Sequence, residues 1–216
     1  MVLGQHNCSD VTSNLMLEDH SQTPIMGGGE AEVFQAICWV DGSTQPVAIK
    51  RRITRGSKRE PGALKAVAKE LYVWSKCHHN NVLPLLGLAR FRGQIAMVSP
   101  FIQGGCLRNY VLEHPTFNRL NACLQIGEGL TYLHSVDIVH GDLKAANVLI
   151  TADGIIQLTD FGSSLIKNHS LHFSSKNEDT VMTPNWTAPE ATPRSSTRTK
   201  MSDVYAYGMV WHYIGK

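Results

Sequence analysis

The stretch from Ile138 to Ile150, IVHGDLKAANVLI, sets four polar side chains between two apolar runs. His140, Asp142, Lys144 and Asn147 fall within eight positions, flanked by Ile138 and Val139 on one side and Val148, Leu149 and Ile150 on the other. Short runs that apolar read as buried strands. A buried carboxylate, ammonium or amide is costly unless it is paired or has a task. Any fold that hosts this segment must therefore hold an acid, a base and an amide rigidly on one short loop, and the rest of the chain has to meet that demand.

The chain is strand-rich at the front and helix-rich at the back. IMGGGEAEVFQAICWV carries a glycine cluster and then a strand pattern, DGSTQP a turn, and VAIKRRI a second strand, which predicts an antiparallel pair. Leu64, Val67, Leu71 and Trp74 recur at helical spacing behind Pro61 and Gly62, so a helix is expected there. NVLPLLGLARF and GQIAMVSPFI read as two further strands. GGCLRNYVLEH reads as a short helix, LNACLQIGEGLTYLHSV as a long buried one, GIIQLTDFG as a strand and MSDVYAYGMVWHYIGK as a closing apolar helix. Residues 163 to 182 are polar and Ser-rich, long for a featureless connection, which marks them as functional or mobile. The pattern is α+β in two lobes. The expected divisions are 1–20 for a loosely docked extension, 21–102 for the first lobe and 103–216 for the second. Ligands favour clefts between such lobes.

Composition excludes several functions. A net charge of +2 over 216 residues argues against a dedicated nucleic-acid binder. The five cysteines are scattered and odd in number, without a CxxC pair, so neither a disulfide scaffold nor a zinc site is expected. No run approaches the length of a membrane helix, and the first residues lack a signal-peptide pattern. The expectation is a cytoplasmic protein, with the nucleus as the other compartment, and no membrane partner.

Taken singly, a GGG cluster is a turn, VAIK a strand end with a solvated lysine, and DFG or APE a chance tripeptide. Together and in this order they resemble the eukaryotic protein kinase family. VAIK stands at 47–50, HGDLKAAN at 140–147, DFG at 160–162, APE at 188–190, and SDVYAYGMV at 202–210 is similar to the start of that family's central helix. The resemblance is strongest to the tyrosine-kinase-like group of serine/threonine kinases, of the kind common in fungi, through NWTAPE and HGDLKAANVLI. It implies the protein-kinase-like fold, with an antiparallel sheet plus one helix in the N-lobe and a helical C-lobe that lacks its last helices.

The resemblance also implies roles. ATP and two Mg2+ ions would be the cofactors, and a protein hydroxyl the acceptor. Lys50 would hold the α- and β-phosphates, and Glu70 would pair with it. Asn147 and Asp160 would bind the metal ions. Asp142 would orient the substrate hydroxyl or accept its proton, and Lys144 would neutralise charge on the moving phosphoryl group and favours Ser/Thr acceptors. Met26, Gly27, Gly28 and Gly29 would form the phosphate loop. Val33, Ala48 and Leu149 would sandwich adenine, with Ser99 as gatekeeper and Pro100, Phe101 and Ile102 as the hinge. His140 and Phe161 would stack, and Thr183 would bond to Asp142 and Lys144. The competing expectation is a pseudokinase or truncated scaffold that binds partners or nucleotide without turnover.

Three departures stand out. Met26 and Ala31 occupy two of the three glycine positions of the phosphate loop, and Glu30 sits at its tip. Gly141 replaces the arginine that usually answers an activation-loop phosphate, while Ser170, Ser174, Ser175 and Thr180 remain candidate phosphosites. The chain also stops soon after Asp203, so Val204, Tyr207, Val210 and Trp211 are expected to face open space or a covering partner. The basic residues Arg51, Arg52, Arg55, Lys58 and Arg59 are expected to be solvated. On this register Glu30→Phe should tighten ATP binding in a direct titration; an unchanged or weaker affinity would count against it.

Overall fold

The computed structural model describes residues 8–17, 23–27, 31–53, 61–166, 184–191 and 198–216. They divide into two compact units. One runs up to Lys76 and resumes at Pro84–Phe101; the other comprises Cys77–Leu83 and Ile102–Lys216. The first unit ends at Phe101, and a short excursion at Cys77–Leu83 belongs to the second.

The first unit is an antiparallel sheet of β1 (Leu15–Met16), β2 (Met26–Gly27), β3 (Ala31–Val40), β4 (Ser43–Arg52), β5 (Gly87–Phe91) and β6 (Gln94–Pro100), with α1 (Pro61–Trp74) after β4. The strand order is β1-β3-β4-β6-β5, and β2 pairs with β3. Two-residue turns close both long hairpins. Asp41 and Gly42 have φ of 48° and 84°, and Arg92 and Gly93 have 50° and 76°, the positive angles that match the twist of the flanking strands. The expected turn DGSTQP is therefore shorter than it reads, and Ser43 to Pro46 extend β4. Pro46 is tolerated because β6 pairs with β4 only from Val47 onward.

Alternation along the strands separates two faces. Phe34, Ala36, Cys38, Val47, Ile49, Ala96 and Val98 enter the core with Phe91, whose ring lies 4.9 Å from that of Phe34. In α1, Val67, Leu71 and Trp74 are buried as their spacing requires, whereas Leu64 is exposed.

Residues 8–17 are not the loose extension the sequence suggests. Leu15 pairs with Cys38, Val11 joins the core, and its N–H donates to the Leu88 carbonyl at 2.9 Å while the Leu88 N–H donates to Ser9. Thr12 Oγ1 accepts from the Arg90 N–H at 2.8 Å. A segment this short has no room to show a period, which is why its docking is invisible in the sequence.

The second unit is built on α2 (Leu107–Glu113), α3 (Arg119–Ser135) and α4 (Lys200–Ile214). Between α3 and α4 lie two small antiparallel pairs. β7 (Ile138–Val139) pairs with β10 (Leu165–Ile166), and β8 (Val148–Ile150) with β9 (Ile156–Leu158). Asn118 caps α3 by accepting the Asn121 N–H, and Thr199 and Ser202 form a capping box on α4. Gly129 lets α3 approach the Asn81 carbonyl more closely than a Cβ would allow. In α4, Val204 and Trp211 are exposed, but Val210 and Ile214 are buried, and the Tyr207 hydroxyl donates to the Cys123 carbonyl at 2.9 Å. The expectation that all four apolar residues face open space therefore holds for only two. No helix among the described residues is long and apolar enough to cross a membrane.

Gly87 gives a test of the docked segment, since a Cβ there would collide with the Ser9 carbonyl and crowd Val11. Gly87→Ala should cost about 1–3 kcal/mol and speed hydrogen exchange at the Val11 and Leu88 amides while leaving α3 protected. Unchanged protection at both amides would contradict the docking.

Candidate active site

In the first unit the sheet face opposite the core gathers the residues singled out in the sequence. Val33 opposes Lys50 and Gln35 opposes Ala48 across β3 and β4, while Ala48 opposes Ser99 and Lys50 opposes Met97 across β4 and β6. Directly opposed residues share a face, so Val33, Ala48, Lys50 and Ser99 stand together. Val33 and Ala48 remain half-buried beside fully buried neighbours.

Lys50 Nζ donates to Glu70 Oε1 at 2.7 Å. Glu70 is only 1% exposed, and Arg52 lies 4.0 Å from its other oxygen. A carboxylate buried that deeply needs cations, so two residues expected to differ in role, Lys50 and Arg52, meet on one acid. Arg51 pairs with Glu32 and lies over the Phe34 ring at 5.4 Å. Arg51 and Arg52 are thus engaged rather than solvated; Arg55, Lys58 and Arg59 lie outside the described residues. Met26 is exposed and opposes Val33, and Gly27 opposes Glu32. Gly28, Gly29 and Glu30 lie outside the described residues, as do Thr183 and the candidate phosphosites. Ser99 is buried and Pro100 half-buried. The Phe101 N–H donates to the Pro46 carbonyl at 3.0 Å, so that donor is already committed.

In the second unit the polar cluster is held as one network. Asp142 Oδ2 accepts from Lys144 Nζ at 2.6 Å and from Asn147 Nδ2 at 3.1 Å, and Asn147 Nδ2 also donates to the Asp142 carbonyl at 2.8 Å. Both bonds occupy the amide nitrogen, so Oδ1 is the acceptor atom of the Asn147 side chain. Leu149 is half-buried between Val148 and Ile150, which are fully buried. Asp160 adopts φ 69° and ψ 77°, a left-handed conformation that costs a non-glycine residue roughly 1–2 kcal/mol. Strain of that kind persists where the surroundings impose it. The His140 and Phe161 rings lie 5.7 Å apart, tilted by 47°, and His140 Nε2 lies 3.1 Å from the Thr159 carbonyl.

The residue that sequence reasoning missed is Asp203. Its carboxylate accepts the His140 N–H at 2.8 Å and the Gly141 N–H at 2.9 Å, and sits 2.9 Å from His134 Nε2. It is 1% exposed. An acid in the first turn of a helix ordinarily reads as a partner for the helix dipole; here it fixes the start of the loop carrying Asp142. Ser164 adds a further tie, its hydroxyl donating to the His140 carbonyl at 2.7 Å.

Gly141 has φ 79°, and a Cβ there would meet Arg198 Cδ at 2.6 Å and the Ser163 carbonyl oxygen at 2.7 Å. Arg198 Nη1 donates to that same carbonyl at 2.8 Å. An arginine from elsewhere in the chain therefore lies over the position left by the missing one.

A family model described as protein tyrosine and serine/threonine kinase matches residues 20–215. A probable serine/threonine-protein kinase of Dictyostelium discoideum is 32% identical over 188 residues, covering 84% of this chain and 36% of that protein. The probable serine/threonine-protein kinase SIS8 of Arabidopsis thaliana is 31% identical over 214 residues, 94% of this chain and 20% of its own. A putative serine/threonine-protein kinase/receptor of Acanthamoeba polyphaga mimivirus is 30% identical over 189 residues, covering 85% and 11%. The chain thus spans about a third or less of these relatives, which come from an amoeba, a plant and a virus and do not single out the fungal subgroup.

Two substitutions test the loop. Gly141→Arg should lower stability by roughly 2–4 kcal/mol, combining left-handed strain with the clash, and a melting temperature equal to the native one would contradict the geometry. Asp203→Ala, which strands the buried His140 N–H and the half-buried Gly141 N–H, should cost about 2–5 kcal/mol; a loss under half a kcal/mol by denaturant titration would refute the clamp.

Proposed function

Because the chain belongs to the protein tyrosine and serine/threonine kinase family, we propose that it transfers the γ-phosphoryl group of ATP, with Mg2+, to serine or threonine hydroxyls of protein substrates. The observation that carries this reading is the Asp142–Lys144–Asn147 network, in which a carboxylate, an ammonium and an amide share one set of hydrogen bonds. Phosphoryl transfer asks for positioning and charge neutralisation more than for covalent chemistry, and those residue types supply both.

Asp142 orients the acceptor hydroxyl and takes its proton as the oxygen attacks. Lys144, already on Asp142, meets the charge of the phosphoryl group. Lys50 binds the α- and β-phosphates, directed by Glu70, and the half-buried Val33, Ala48 and Leu149 supply apolar surface for adenine. Met26, Gly27, Gly28 and Gly29 form the phosphate loop, Ser99 is the gatekeeper, and Pro100, Phe101 and Ile102 offer hinge backbone. The chemistry of the donors fits a hard cation: Asp160 brings a carboxylate, and Asn147 an amide oxygen freed by the commitment of its nitrogen. Mg2+ held by these two residues would supply positive charge against the charge of the phosphate oxygens. A cytoplasmic setting agrees with five cysteines that form no disulfide.

The test is incorporation of label from γ-labelled ATP into a mixed Ser/Thr/Tyr protein substrate. The native chain should label serine and threonine, and Asp142→Asn should lower the rate by about 10²–10⁴-fold. Equal labelling by both proteins would remove the proposal, and label confined to tyrosine would remove its acceptor class.

A further inference from the structure

Arg198 directly precedes the Thr199 cap of α4, and its half-buried side chain reaches back across Gly141. The stem fills the space a side chain at 141 would need, with Cδ 2.6 Å from where a Cβ would stand. Beyond the stem, Nη1 donates to the Ser163 carbonyl at 2.8 Å, a charge-assisted bond from a guanidinium to the backbone. Ser163 closes the short turn Phe161–Ser163 that begins after Asp160, and Asp142 follows Gly141 directly. One side chain therefore touches both stretches that carry a candidate catalytic or metal-binding carboxylate. The start of α4 holds Gly141 twice, since Asp203 also accepts its N–H at 2.9 Å. The same two stretches meet again where the Ser164 hydroxyl donates to the His140 carbonyl and where Leu165 opposes Val139. Asp160 keeps a φ of 69°, a conformation that its surroundings have to impose, and the bond to Ser163 constrains that turn.

We propose that Arg198 is a positioning residue for phosphoryl transfer, tying the turn that carries Asp160 to the loop that carries Asp142. The inference rests on the kinase reading above and adds to it a residue that acts through those two. Catalysis by positioning is sensitive to small displacements, and a shift of about 1 Å can cost on the order of a hundredfold in rate. Arginine suits the task because its apolar stem packs over Gly141 while the planar head is left to donate. The missing side chain at 141 and the arginine at 198 are thus two halves of one arrangement.

Two substitutions separate the hydrogen bond from the packing. Arg198→Met keeps an unbranched stem over Gly141 and removes the donor, whereas Arg198→Lys keeps a cationic donor. Labelling of a protein acceptor across a range of ATP and acceptor concentrations gives kcat and KM for each chain. The methionine variant should lose about 10- to 100-fold in kcat with both KM values within about twofold of native. The lysine variant should recover kcat to within about threefold of native. Hydrogen exchange reads the tie without turnover. The Ser164 amide, which donates to the Phe161 carbonyl at 3.0 Å, should exchange about tenfold faster in the methionine variant and return toward native in the lysine variant, with the α3 amides unchanged in both. A methionine variant with native kcat, a lysine variant no better than it, or a raised KM at unchanged kcat overturns the proposal. Native kcat in every variant would keep the proposed function and remove Arg198 from it. A native chain without turnover would instead sink that function and leave the Ser164 amide to decide the tie. Faster exchange in the methionine variant alone then supports it, and equal exchange in all three chains removes it.

Discussion

The second unit depends on one carboxylate. Asp203 is buried at the start of α4, where an unpaired acid would be prohibitively unfavourable, and it meets the backbone N–H groups of His140 and Gly141 together with the His134 ring. Those bonds compensate for its burial and in doing so fix where the loop begins. From that anchor the chain reaches Asp142, whose carboxylate and carbonyl hold the Asn147 amide nitrogen. The order of cause runs from a helix cap, through a buried acid, to the hydrogen bonds that hold the Asn147 amide nitrogen.

Lys50 and Glu70 play a comparable part in the first unit. The hairpin register that sets Lys50 opposite Val33 and Met97 also brings it to the face where α1 presents Glu70. Arg52, two residues further along the same strand, emerges on the same face and approaches the same acid. The sheet's alternation therefore does two things at once: it buries Phe34, Ala36 and Ile49 on one side and collects half-buried apolar residues and a paired lysine on the other.

Much of this was legible in the sequence, and the parts that were not share a cause. The long strands and α1 announced themselves because their apolar residues alternate or recur over many positions. The His140, Asp142, Lys144 and Asn147 cluster stood out because polar residues between apolar runs need a reason. Residues 8–17 were misread because their docking is carried by a few backbone bonds and by the absence of a side chain at Gly87. The role of Asp203 was hidden because its partners are 62 and 63 positions away, beyond any local pattern. Gly141 could be recognised as a departure, but not the arginine that fills its place, because Arg198 arrives from a distant stretch of chain. The apolar face of α4 was half legible: Val210 and Ile214 are buried while Met201, Val204 and Trp211 are exposed, a partition that depends on which neighbours the helix meets.

In the proposed function, Asn147 and Asp160 would present oxygen ligands to the metal that accompanies a bound nucleoside triphosphate. A crystal structure of the chain with a non-hydrolysable ATP analogue and Mn2+ tests it most directly, since the metal can be located by its anomalous scattering. The account predicts anomalous peaks about 2.0–2.3 Å from Asn147 Oδ1 and from an Asp160 carboxylate oxygen. Bound nucleotide with its metal held by other residues would contradict it.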